Sequence, residues 1–149
     1  MRYLLDADWI IQVLAGRKEA VLAHKRINPE EIAVSYITIG EIYEVAFSYA
    51  NPQAHLHTFR QFLTPFPLLD LNEPIMERFA EIRAYLRRPG ELISDFAILI
   101  GATAVFHDLT VLTYNTRHFP RIPELKLSTP PAKNRSETFR WFLSCSKQE

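Results

Sequence analysis

The sequence predicts an α/β protein whose central parallel sheet carries helices on both faces. Short apolar runs typical of buried strands alternate with longer segments whose apolar residues recur at helical spacing. The chain has 149 residues, the usual length of one domain. Its hydrophobic content of 48% is that of a globular protein. Because strands that alternate with helices pair in parallel, helices must cover both faces of the sheet.

Five short segments predict strands, each rich in apolar residues and bounded by polar or turn residues. They are residues 3–5, 32–35, 66–71, 111–113 and 125–127.

Six segments predict helices. In the third, Ile39, Ile42 and Ala46 follow helical spacing, and Asn72 is the predicted cap of the fifth. The sixth is apolar nearly all round, so we expect it to be central and buried. The helices are residues 8–14, 19–26, 38–49, 52–63, 73–86 and 94–107.

The chain divides into a domain and a tail. Residues 1–127 are expected to form one domain, and residues 128–149 a linker followed by a short amphipathic segment. There Phe139, Phe142 and Leu143 share one side of a predicted helix. Because so short a helix is marginal alone in water, we expect it to dock on the domain or across a dimer.

The cysteine content and the apolar runs indicate a cytoplasmic protein without membrane contact. Cys145 is the single cysteine, which fits a reducing compartment. The N-terminus lacks the apolar core of a secretory signal, and the longest mainly apolar run, residues 96–106, is too short to cross a bilayer.

The net charge argues against strong non-specific nucleic-acid binding. Seventeen basic residues balance seventeen acidic ones, whereas such binding depends mainly on phosphate neutralisation. Two local basic clusters are either solvated faces or RNA contacts, and Arg117 and Arg121 are the candidates for weak RNA binding. The clusters are Arg83, Arg87 and Arg88, and Arg117, His118 and Arg121.

Polar residues follow several predicted strands. Asp6 and Asp8 come directly after the first strand, and Glu41 lies in the first turn of the helix after the second. Asp95 opens the sixth helix, and Asn115 follows the fourth strand. We expect these residues to gather at one edge of the sheet, where parallel strands end. Such carboxylates repel one another, and Mg²⁺ held by one or two carboxylates with waters and substrate phosphates is the usual remedy.

These positions also have purely structural interpretations, which leave Asp6 least explained. A buried ionised carboxylate is costly unless a cation or a metal pairs with it. The structural alternatives are a capping box for Thr38 and Glu41, an N-cap for Ser94 with Asp95, a helix cap for Asp8 and a turn for Asn115.

Four blocks of the sequence carry a family resemblance. They are LLDADWII, SYITIGEIYEVA, SDFAILIGATA and TYNTRHFPRIPEL. In order and spacing they resemble the motif blocks of PIN-domain ribonucleases, especially VapC-type toxins. The resemblance implies a three-layer α/β/α sandwich. It also implies a Mg²⁺- or Mn²⁺-dependent endoribonuclease of single-stranded RNA, a homodimer and a cognate antitoxin as partner.

The resemblance also implies roles for particular residues. Asp6, Glu41 and Asp95 match the family's three core acids, with Asp6 and Asp95 as metal ligands and Glu41 orienting the water. Asn115 is the remaining catalytic position, and together with Thr113 it matches a Thr-x-Asn element.

The sequence departs from the family pattern in two places. Asp6-Ala7-Asp8 stands where the family has Asp-Thr-Asn or Asp-Thr-Ser, and His118 stands where many members have a fourth acid. Asp8, Thr113 and His118 are therefore accessory candidates. His118 leaves open whether one or two cations bind.

Two other functions fit parts of the sequence. A strand followed by Asp-x-Asp also begins haloacid-dehalogenase-like phosphatases, but Trp9 and Ile10 follow here in place of Gly and Thr or Val. A PIN-like module that binds RNA or protein without cutting is the stronger alternative, because of His118. The three retained acids argue against it, since a dead site has no reason to keep carboxylates that repel one another.

Overall fold

A computed structural model describes residues 1–128 of the chain. Its strands are β1 (Tyr3–Leu5), β2 (Ile32–Ser35), β3 (Leu68–Leu69), β4 (Thr110–Leu112) and β5 (Lys126–Ser128). All pair in parallel in one sheet of order β3-β2-β1-β4-β5. The predicted α/β fold is confirmed, although β3 is shorter than the six residues expected. The amphipathic segment expected in the tail lies outside the described residues.

The described residues contain six α-helices, one for each predicted segment. They are α1 (Ala7–Leu14), α2 (Lys18–Lys25), α3 (Tyr36–Phe47), α4 (Pro52–Leu63), α5 (Glu73–Arg87) and α6 (Asp95–His107). None of these helices has the length and apolar character needed to cross a membrane.

A hydrophobic cluster lies on each face of the sheet. Leu4 packs with residues of α5 and α6, whereas Leu5 packs with residues of α1, α3 and α4. Consecutive strand residues point to opposite faces, so one strand contributes to both clusters. The result is the expected α/β/α arrangement of three layers.

The start of α3 differs from the sequence prediction. Ser35, not Thr38, is the N-cap, and its side chain accepts a hydrogen bond from the Ile37 backbone N–H at 3.1 Å. The buried Thr38 hydroxyl instead donates to the Leu5 carbonyl oxygen at 3.2 Å. The capping-box interpretation is therefore wrong, and Thr38 ties α3 to the end of β1. Because α3 begins two residues earlier than predicted, Glu41 lies in its second turn and not, as expected, in its first.

The sixth helix is buried over most of its length but not at its ends. Ser94 caps it as predicted, and seven of its residues, among them Ile98 and Gly101, are buried. Phe96 and Phe106 are 49% and 45% exposed. The expectation of a fully buried helix is wrong for these two rings.

The sheet reverses its strand order at β1. The chain moves from β1 to β2 on one side, and later to β4 on the other. Ligands of such folds bind outside the carboxyl ends of the strands, at the point of reversal. Asp6 follows β1 at this point, and its backbone N–H donates to the Leu112 carbonyl oxygen at 3.0 Å.

Candidate active site

Two aspartates and a threonine meet beyond the ends of β1 and β4. The Asp6 carboxylate is only 7% exposed and accepts a hydrogen bond from the Thr113 hydroxyl at 2.8 Å. The same hydroxyl lies 3.2 and 3.3 Å from the two Asp8 carboxylate oxygens. A hydroxyl has a single proton to donate, and the shorter distance assigns it to Asp6.

Asp8 fastens the loop after β4 to the start of α1. Its Oδ1 accepts a hydrogen bond from the Tyr114 backbone N–H at 3.2 Å, and the Tyr114 ring lies 5.5 Å from the Trp9 ring. The helix-cap interpretation of Asp8 is therefore wrong, since its hydrogen bonds reach residues more than a hundred positions away in sequence. These distances place Asp8 and Thr113 beside Asp6, and their accessory role stays a prediction.

The Asn115 side chain organises a turn. Its Oδ1 accepts hydrogen bonds from the backbone N–H groups of Arg117 at 3.3 Å and His118 at 3.0 Å. Its own backbone N–H donates to the Thr113 hydroxyl oxygen at 2.9 Å. The structural interpretation of Asn115 as a turn residue thus holds, and its catalytic role stays a prediction.

Burial shifts the pKa values of both aspartates upward. Burial raises the pKa of Asp6, although hydrogen bonds from Thr113 and the Ala7 backbone partly offset it. Burial raises the pKa of Asp8 well above its usual range, and the negative charge of Asp6 raises it further. Asp8 is therefore the carboxyl group that more readily keeps a proton.

Glu41 presents an unsatisfied acceptor beside Asp6. Its Oε1 is buried and has no hydrogen-bond partner in residues 1–128. Burial raises the Glu41 pKa to about 7, and the charges of Asp6 and Glu44 contribute to the rise. The charge of Asp6 thus acts on Glu41, whose catalytic role stays a prediction.

Asp95 forms an ion pair with Arg83 of α5. The Arg83 Nε donates to its Oδ1 at 2.8 Å, and the Asp95 side chain is 57% exposed. The structure therefore brings Asp6, Asp8, Glu41 and Thr113 together and leaves Asp95 paired with α5.

The carboxylate side chains of the site suit a hard divalent cation whose remaining ligands are waters or substrate phosphates. All the candidate donors are carboxylate oxygens, which Mg²⁺ prefers, and the orphaned Glu41 Oε1 is an acceptor that lacks a positive partner. Within residues 1–128, however, no three acidic, histidine or cysteine side chains converge closely enough to hold an ion alone. This arrangement suits Mg²⁺, which is usually bound by one or two carboxylates, waters and substrate phosphates.

The sequence did not identify two residues that shape this site. Thr38 fixes α3, and hence Glu41, to the end of β1. Arg83, twelve positions earlier in the sequence, binds Asp95, although the sequence analysis placed Arg83 only in a basic cluster. Neither contact has a local sequence signal, because both join residues that only the fold brings together.

The family model for the PIN domain matches residues 3–125 of the chain. The chain belongs to the PIN domain family. The match covers every residue of the site described above.

Two curated relatives resemble the chain over nearly their whole length. Ribonuclease VapC2 of Haemophilus influenzae is 29% identical over 126 residues, which is 85% of this chain and 96% of the relative. The tRNA(fMet)-specific endonuclease VapC of Salmonella typhimurium is 25% identical over 127 residues, with the same coverage.

A solved structure is also similar to the chain in fold and sequence. A toxin–antitoxin complex from Klebsiella pneumoniae contains a chain that superposes with a TM-score of 0.71 at 27% identity. The match covers 88% of this chain and 99% of the other.

Proposed function

We propose that this protein is a divalent-metal-dependent endoribonuclease that cleaves single-stranded RNA and acts as the toxin of a toxin–antitoxin pair. Its membership of the PIN domain family and the ribonuclease names of its relatives support the activity. The position and surroundings of Asp6 are the observation on which the proposal rests. Asp6 is a buried carboxylate at the reversal point of the sheet, with a second acid and an orphaned glutamate beside it.

Asp6 and Asp95 are our candidates for holding Mg²⁺ or Mn²⁺, with Asp8 as an accessory ligand. Arg83 binds only the Oδ1 of Asp95. Because α6 leads into β4, it begins, with Asp95, at the edge of the sheet where Asp6 lies.

When bound, the cation increases the acidity of an attacking water and offsets charge that develops on the phosphate. Glu41 would orient the attacking water, and a pKa of about 7 would suit its Oε1 to accept a proton near neutral pH. The Thr113 hydroxyl holds the Asp6 carboxylate in place at 2.8 Å.

We propose a cognate antitoxin protein as the partner that silences the enzyme. The toxin–antitoxin complex from Klebsiella pneumoniae, at 27% identity, supports this assignment. We also propose a homodimer and a cytoplasmic location, in line with the family resemblance and the single cysteine.

Expression in a bacterial host without the antitoxin tests the proposal. The wild type should arrest growth, and Asp6→Asn should not. Asp108→Asn, at an exposed position before β4 and therefore at the opposite edge of the sheet, should arrest growth like the wild type. Co-expression of a small neighbouring gene should rescue growth. Equal arrest by the wild type and Asp6→Asn, at equal protein levels, would instead favour a binding module that does not cut.

A further inference from the structure

Two residues beside Asp95 have no role in the chemistry described above. Arg83 reaches it from α5, and Phe96, the next residue of α6, is 49% exposed. We propose that Arg83 and Phe96 form a subsite for single-stranded RNA, in which the guanidinium binds a backbone phosphate and the ring stacks on a base. The inference rests on the proposed ribonuclease function and extends it to how the substrate is held.

Stability does not explain the Arg83–Asp95 pair. Its side chains are 31% and 57% exposed, and ion pairs this open to solvent contribute little to folding. The edge of the sheet, in contrast, needs positive charge. Asp6, Asp8 and Glu41 all lie there, so an approaching phosphate backbone meets negative charge unless a cation faces it.

The geometry of Arg83 suits phosphate binding. Asp95 accepts from Nε, so the N–H groups on Nη1 and Nη2 can donate to a second anion, and their planar fork matches phosphate oxygens. Arg121, already a candidate for RNA contact, reaches the loop before α6, because its Nη1 donates to the Glu91 carbonyl oxygen at 3.4 Å. Because α6 leads into β4, Asp95 begins α6 at the edge where the strands end, and it orients Arg83 there.

Phe96 supplies the aromatic surface that single-stranded nucleic acids use. Proteins that bind such strands combine a basic groove with aromatic rings on which bases of any sequence stack. Phe96 is half exposed although most of α6 is buried, and it directly follows the acid that Arg83 binds.

The protein contains a matched control for each residue. Arg78 also lies on α5, is 38% exposed and is ion-paired with Glu81 and Glu124. Phe106 also lies on α6 and is 45% exposed, but it is about 15 Å further along the helix axis. Each control differs from its counterpart mainly in its distance from Asp95.

The test measures RNA binding by the full chain in EDTA, with the fluorescence anisotropy of a short, unstructured, fluorescein-labelled RNA. Phe96→Leu should weaken binding about 5-fold or more and leave its salt dependence unchanged. Arg83→Gln should weaken binding and lower the slope of log affinity against log salt by about 0.7, the value for one phosphate of a single strand. Arg83→Lys should restore the slope but not the full affinity. Arg78→Gln and Phe106→Leu should bind like the parent.

Three results would overturn the subsite. The first is binding by Arg83→Gln and Phe96→Leu that matches their controls. The second is a loss of affinity that merely follows a loss of folded protein in thermal melts. The third is a Phe96→Leu variant that changes the oligomeric state but not RNA affinity, which would assign the ring to a protein interface. A parent protein that binds no RNA in EDTA but cleaves the same RNA with Mg²⁺ would likewise overturn the subsite alone. A parent protein that neither binds nor cleaves it would contradict the proposed function.

Discussion

Glu41 should make the protein less stable as the pH rises through neutrality. Its pKa is 4.5 as a free side chain and about 7 in the folded protein. Between these values the folded state holds a proton that the unfolded state has lost, so the free energy of unfolding falls with increasing pH. Each pH unit corresponds to about 1.4 kcal/mol, which gives a loss of about 3 kcal/mol by pH 8. Because the Glu41 side chain is partly exposed to solvent, this loss of about 3 kcal/mol is an upper limit.

Replacing Glu41 by Gln removes the charge and keeps the shape. In EDTA at pH 8, Glu41→Gln should be more stable than the parent by about 2–3 kcal/mol, and the gap should shrink to below about 1 kcal/mol at pH 5. Urea unfolding, followed by tryptophan fluorescence at each pH, measures both values. The buried Trp9, 3% exposed, is a suitable reporter.

Glu44→Gln is unsuitable as a control, because the charge of Glu44 contributes to the raised pKa of Glu41. The matched control is Glu77→Gln, at an exposed position of α5. It should leave the pH dependence of stability nearly unchanged. The reasoning is refuted if Glu41→Gln is less stable than the parent at pH 8, or if the gap does not depend on pH.

Three further predictions follow from the site and the tail. Asp8→Asn keeps an acceptor for the Tyr114 N–H and should melt at or above the parent's melting temperature at pH 8. Asp8→Ala loses that acceptor and should lower the free energy of unfolding by about 1–3 kcal/mol. Equal melting temperatures of the two variants would contradict this prediction. Mn²⁺ at 100 times its dissociation constant should stabilise the wild type by about 2.7 kcal/mol in calorimetry, and an equal gain in Asp6→Asn would argue against Asp6 as a ligand. Truncation after Ser128 should lower the melting temperature or weaken self-association in size-exclusion chromatography, and no change in either would show that the tail does not dock.

Local sequence chemistry was sufficient for the strands and most helix starts. Asn72 and Ser94 cap their helices as predicted, because each precedes a helical pattern without a competing cap. At α3, both Ser35 and Thr38 could serve as the cap. The choice depended on the contact between Thr38 and the Leu5 carbonyl, which the fold creates across 33 positions.

The part of the site that lies directly after the strands could be predicted from the sequence. The register of β1 and β4 pairs Leu5 with Leu112, so the residues that follow them, Asp6 and Thr113, must meet. The Arg83–Asp95 pair depends instead on how α5 and α6 pack. The exposure of Phe96 could not be predicted either, because a helix that is apolar all round does not indicate which of its residues face the sheet.

Cleavage of labelled single-stranded RNA by the purified protein is the most direct test of the central claim, that the carboxylates beyond β1 form a metal-dependent nuclease site. The wild type and the control Asp108→Asn should cut the RNA internally with Mg²⁺ or Mn²⁺, and their cleavage should stop in EDTA. Asp6→Asn should lose most of the cleavage while its melting curve shows a folded protein. Cleavage at the wild-type rate by pure Asp6→Asn, or cleavage that EDTA does not affect, would contradict the claim.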